Sequence, residues 1–289
     1  MTAARAAGSV GSAGSAGSAE TAGAAGGGAR APRRRPDLGK WFTWAALAWL
    51  FAPIAGMVVF SFNDIQGRQN VTWQGFTLKW YGQAFAYADL NQALLNTLAL
   101  GVLTMLIAGT IGSLLGLALG RHRFRGRGTT NLVMFAAIAA PEVVLGAALL
   151  SLFLTVNVTT GFTTTLIAHV MFTLSFVAIT VRARVLTLDP ALEEAARDLG
   201  AGPWETFRLV TFPLLLPAIM AGGLLALALS VDDFIITTFV SGDTTTFPLW
   251  IWGATRVGIP PQVNVMGALI FGLGVLLAAC NVLLARRRR

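Results

Sequence analysis

The chain has 289 residues, 55% of them hydrophobic and only 12% charged, against roughly 25% charged in ordinary soluble domains. That composition excludes a soluble globular domain, and the formal net charge of +8 has to be explained in a membrane setting. A single cysteine, Cys280, excludes an intrachain disulfide and a cysteine-rich metal site.

Residues 1–29 are almost wholly Ala, Gly and Ser, as in GSAGSAGSA, followed by a basic stretch. Such a segment has too little apolar side-chain surface to offset its ordering entropy, so residues 1–40 are expected to form a disordered cytoplasmic tail. Without the apolar core of a signal peptide, the tail is not read as one.

Six apolar stretches follow, at about 41–62, 93–120, 131–154, 162–181, 214–240 and 264–285, each near the roughly 20 residues that cross a hydrocarbon core as a helix. Backbone amides in lipid must pair within the segment, and no short alternating strands of a barrel are evident. The expectation is an all-α membrane protein with six transmembrane helices over residues 41–289. Lys and Arg cluster before the first stretch, in RHRFRGRG between the second and third, after the fourth, and at Arg286 to Arg289. Only Arg68, Lys79 and Arg256 fall on the opposite side, so the positive-inside rule predicts that both termini are cytoplasmic. The basic balance therefore reads as topology and contact with membrane lipid, not as nucleic-acid binding.

Along the first stretch, Trp41, Trp44 and Trp49 suit an interface, as do Trp250 and Trp252 in the outer connection before the last stretch. Three acids interrupt the apolar runs. Counted from Asn131, Glu142 lies about 16 Å along the third helix at roughly 1.5 Å per residue, near the middle of the membrane. Counted from Leu214, Asp232 lies about 27 Å along the fifth, in the outer part, with Asp233 beside it. Adjacent helical positions differ by about 100°, so the two aspartates cannot both face one path. A charge at the centre of a span costs roughly 2.5–3.5 kcal/mol, which favours a water-lined path or a specific partner for such groups. His169, in the fourth stretch, is expected to be a hydrogen-bonded interior residue and not a metal ligand.

The loop between the fourth and fifth stretches, LDPALEEAARDLGAGPWETFRLVTFP, carries sharp local signals. Asp189 and Pro190 open a short helix over about 190–199, and Gly200 closes it in a left-handed cap. Within it Glu193 or Glu194 is spaced to pair with Arg197. A second helical start follows at Gly202-Pro203.

Glu194-Ala195-Ala196, then Gly200, then Val210-Thr211-Phe212-Pro213 resembles the EAA motif of permease subunits of bacterial ABC importers. VVFSFN, WQGFTLKWY, APEVVLGAALL, ARDLGAG and SVDDFIITTFVSG are similar to the polyamine branch, for spermidine or putrescine, over most of residues 41–285. Ser175 departs from that branch, where proline is usual. The resemblance implies a type I importer permease of the bacterial cell membrane, with a coupling loop at 183–213. It implies that Glu194, Ala195, Ala196 and Gly200 dock an ATPase. The burial cost of intramembrane carboxylates and their fit to ammonium groups lead to the separate expectation that Glu142, Asp232 and Asp233 belong to the substrate pathway. Implied partners are a second, homologous permease, a dimer of ATP-binding subunits and an extracytoplasmic solute-binding protein.

Hydrolysis of ATP is expected on the partner. A P-loop needs Lys followed by Ser or Thr, yet Lys40 and Lys79 both precede Trp. No catalytic constellation, metal site or bound cofactor is expected in this chain. Two alternatives are a permease for another small solute and an ion-coupled secondary carrier in which the buried acids move protons.

Overall fold

A computed structural model describes residues 38–67 and 70–287. The predicted disordered tail lies outside the described residues, apart from its last three positions, which are already helical. Among the described residues there is no β-strand, only an isolated bridge between Asn63 and Phe76. The chain divides into two units, Met1–Phe51 and Ala52–Arg289. The functional residues considered below lie in the second.

The helices are α1 (Leu38–Phe60), α2 (Lys79–Gly82), α3 (Ala88–Arg121), α4 (Arg127–Ala139), α5 (Glu142–Thr155) and α6 (Phe162–Thr187). They continue as α7 (Ala191–Asp198), α8 (Pro203–Thr206), a π turn (Phe207–Thr211), α9 (Phe212–Asp232), α10 (Ile235–Val240), α11 (Phe247–Val257) and α12 (Pro261–Arg287). Among the described residues, four helical runs are long and apolar enough to cross a membrane: Gly39–Phe60, Ala88–Arg121, Phe162–Thr187 and Pro203–Asp232. A fifth is available if α4 and α5 together make one bent span, and the apolar run Pro261–Leu276 of α12 is shorter.

The third apolar stretch is not the continuous helix that the hydropathy predicts. It breaks at Ala140 and Pro141, and α4 and α5 meet at 109°. Proline lacks an amide hydrogen and pushes the preceding residue into extended backbone; Ala140 sits at φ −68°, ψ 133° and Pro141 at φ −60°, ψ 131°. Glu142 is therefore the first residue of α5, and its depth does not follow from a straight-helix count. The fifth stretch also breaks, at Asp233, whose ψ of 123° ends α9 before α10 resumes. It begins earlier than Leu214, since α8 and the π turn run directly into α9. In the π turn the Phe212 amide donates to Phe207, five residues back. That widening accommodates Pro213, which has no amide hydrogen to continue an α ladder.

The core is built on α3, α6 and α9. Ala108, Val177, Val181, Val185, Leu188, Leu215 and Ala226 form one buried cluster across these helices. A second cluster, Leu149, Phe153, Ala168, Phe172, Ile236 and Val240, joins α5, α6 and α10. In lipid the association of spans gains little from hydrophobic transfer, so close backbone approach carries it. Gly112, Gly116 and Gly120, spaced four residues apart, make a stripe on α3 that meets α6. A Cβ at Gly116 would lie 2.6 Å from the Ala178 carbonyl oxygen and 3.0 Å from the Arg182 amide nitrogen. Gly116→Val is expected to destabilise the fold by about 1–3 kcal/mol through overpacking, read as a lower unfolding temperature of the purified protein. An unchanged unfolding temperature would show that α3 and α6 separate freely there. α6 runs unbroken through Ser175.

Candidate functional site

The break between α9 and α10 turns the two aspartates in different directions. Asp233 is 8% exposed, whereas Asp232 is exposed. Asp233 Oδ2 accepts from the Thr237 amide at 2.8 Å and from the Thr237 hydroxyl at 2.6 Å, so its carboxylate caps the first turn of α10. His169 Nε2, from α6, lies 2.9 Å from Thr237 Oγ1 and 3.3 Å from Asp233 Oδ2. Because the Thr237 hydroxyl donates to Asp233, its oxygen is left to accept, which puts a proton on His169 Nε2. On the other side of the ring, Nδ1 is 2.7 Å from Ser230 Oγ, and Ser230 in turn is 3.4 Å from Thr104 Oγ1 of α3. The buried carboxylate is thus held by donors from α6 and α10, and the network continues into α9 and α3. That pairing makes its burial tolerable.

His169 is 2% exposed and fully hydrogen-bonded, as expected for an interior residue. Thr104, Ser230 and Thr237 escape a sequence reading because each is a small hydroxyl within an apolar run.

Glu142 stands at the start of α5, half-buried, and its carboxylate makes no hydrogen bond or ion pair with another described residue. α5 packs against α10, where the Phe239 ring covers Gly146. No ion pair or hydrogen bond joins Glu142 to either aspartate among the described residues. Among them there is also no cluster of three His, Cys, Asp or Glu side chains able to hold a metal ion.

The loop over residues 183–213 follows its local signals closely. α7 spans Ala191–Asp198, and Asp189 Oδ1 accepts from the Ala191 amide at 2.9 Å. Gly200 has φ +90°; its amide donates to Arg197 at 2.9 Å and the Ala201 amide to Ala196 at 3.0 Å, the paired bonds of a Schellman cap. Glu205 Oε2 accepts from the Gly202 amide at 2.9 Å and opens α8. Glu194 and Ala195 are exposed and Ala196 is half-buried. Leu192, Leu199 and Trp204 are exposed beside them, Leu199 at 89%. The local pairing of Glu193 with Arg197 does not form. Instead Glu193 Oε1 accepts from Arg121 Nη2 and from Thr211 Oγ1, each at 3.0 Å. Those partners are 72 positions before and 18 after it.

Residues 112–289 match the family described as binding-protein-dependent transport system inner membrane component. The chain belongs to that family. Membership makes it a multi-pass inner-membrane permease and not an enzyme. It is 36% identical over 246 residues to the spermidine/putrescine transport system permease protein PotC of Escherichia coli strain K12, covering 85% of this chain and 92% of that one. PotC of Haemophilus influenzae is 34% identical over 247 residues, covering 85% and 95%. The putrescine transport system permease protein PotI of E. coli K12 is 34% identical over 232 residues, covering 78% and 82%. Among solved structures, the permease resembles a chain of a bacterial ABC transporter that imports alginate, with a TM-score of 0.61, 18% identity, and 85% and 94% coverage. It also resembles a chain of the MetNI methionine ABC transporter, with a TM-score of 0.56, 19% identity, and 68% and 95% coverage. These likenesses make the fold that of an ABC importer permease.

Proposed function

We propose that this permease forms one half of the translocation path of an ATP-driven importer for polyamines, spermidine or putrescine. The observation that carries this reading is the identity of 34–36% to polyamine permeases over 78% or more of the chain. The other half is a homologous permease, two ATPase subunits bind at the coupling loops, and an extracytoplasmic binding protein delivers the solute. The chain itself binds no cofactor. The exposed face of α7, with Glu194, Ala195 and neighbouring Leu192 and Leu199, offers the surface on which an ATPase docks. Gly200 holds that helix at its length.

Glu142 and Asp232 are the carboxylates that meet the substrate ammonium groups. Asp233 sets where α9 stops, and so where Asp232 points. Glu142→Gln leaves shape intact and removes charge; loss of one charge-assisted hydrogen bond is worth about 1.5–3 kcal/mol, so the apparent KM for spermidine should rise about 10- to 100-fold. Uptake of labelled spermidine and putrescine by the complex reconstituted with its partners, with and without ATP, tests the whole reading. Uptake by this chain alone, driven by a proton gradient, would instead make it a secondary carrier. An unchanged KM in a Glu142→Gln complex that transports would remove Glu142 from the path.

A further inference from the structure

We infer that Glu193, outside the docking motif, is the positioning residue that ties the coupling helix to the membrane helices. The inference rests on the importer reading above, in which α7 receives the motion of an ATPase.

Along the chain, α7 is connected only to α6, through residues 188–190, and to α8, through residues 199–202. Both connections are short stretches of non-helical backbone, and neither reaches α3. Glu193 supplies what the backbone lacks. Its single oxygen Oε1 is shared by Arg121, the last residue of α3, and Thr211, the last residue of the π turn that opens into α9. The ion pair is mostly shielded, with side chains 17% exposed for Arg121 and 19% for Glu193, so solvent screens it less than a surface pair. Arg121 Nε is buried without a partner, so the guanidinium is held in place through Nη2. A carboxylate that accepts from an Arg and a hydroxyl at once fixes three elements in one geometry. With α6 attached by the chain, a displacement of α7 moves the N-terminal end of α9 and the C-terminal ends of α3 and α6 together. These three helices form the main buried cluster, so the motion reaches the core.

Glu194, one position on, is exposed and free for the ATPase. The two adjacent glutamates thus divide the work: one faces the motor and the other the load.

The test uses the full complex, with partner permease, ATPase and binding protein, in liposomes, and reads ATP hydrolysed per labelled spermidine taken up. Glu193→Ala should leave an assembled complex that still hydrolyses ATP, while ATP spent per solute rises about tenfold or more, the factor carried by one charge-assisted hydrogen bond. Thr211→Val should give a smaller rise. The exchange Arg121→Glu with Glu193→Arg should bring the ratio back toward wild type, which restored charge pairing achieves and general repair of folding does not. A wild-type ratio in Glu193→Ala overturns the inference. So does a parallel loss of assembly, hydrolysis and uptake that the exchange fails to rescue, because that is a purely structural role. If the unaltered complex takes up spermidine without ATP, the importer reading fails, an outcome separate from both.

Discussion

Asp233→Ala is expected to abolish uptake and to lower the stability of the folded permease, whereas Asp232→Ala lowers uptake without touching stability. The Asp233 carboxylate satisfies the Thr237 amide and hydroxyl and stands against His169 Nε2, all buried. Removing it leaves the Thr237 amide without an acceptor in the first turn of α10, and a buried unsatisfied donor costs about 1–3 kcal/mol. The helix break loses its cap, and the direction of Asp232 is lost with it. Asp233→Asn retains one acceptor oxygen and should fall between the two. Thermal unfolding of the purified proteins, paired with uptake by the reconstituted complex, separates the cases. Equal unfolding temperatures for Asp233→Ala and Asp232→Ala would mean that the network bears no load.

Gly200→Val is the second large effect, and it acts at a distance from any path. A Cβ at Gly200 meets nothing within 4 Å, so space is not the obstacle. The backbone is: φ is +90°, and L-residues pay about 1–2 kcal/mol to adopt left-handed backbone, with β-branched ones worst placed. α7 would lose its Schellman cap and shift its docking face. ATPase stimulation and uptake should both fall about tenfold, following that energy. Gly200→Asn, whose side chain tolerates the left-handed region, should retain most activity. Wild-type stimulation by Gly200→Val would detach the cap from docking.

What the sequence made legible was set by range. Capping of α7 by Asp189, its end at Gly200 and the new start at Gly202-Pro203 are written within a few residues of each other, and all are found as read. The apolar runs also announce a helical membrane protein. Hydropathy, however, averages over about 20 residues and is blind to direction, so the 109° bend at Ala140–Pro141 passed for the middle of a span. The break at Asp233 carries no Gly or Pro at all; it is imposed by His169 and Thr237, and His169 lies in another helix. Glu193 shows the same limit. A helical i,i+4 rule offers Arg197, but tertiary packing brings Arg121 closer, and no local pattern contains that information. Which acids meet the substrate belongs to the same class of question, being decided by packing among helices.

The π turn at Phe207–Thr211 sets the phase of α9. Five residues per hydrogen-bonded step, in place of four, amount to one residue inserted into an otherwise α-helical ladder. Every side chain beyond it on α9 is rotated by about 100° from where an uninterrupted helix would carry it. Thr211 ends that insertion, so the residue tied to α7 is also the one at which the angular setting of α9 is fixed. Reabsorbing the extra residue would swing the far end of α9 about its own axis with little translation. A conversion of push into twist is therefore within reach of this helix, and Asp232 at its last turn is where the twist would be felt.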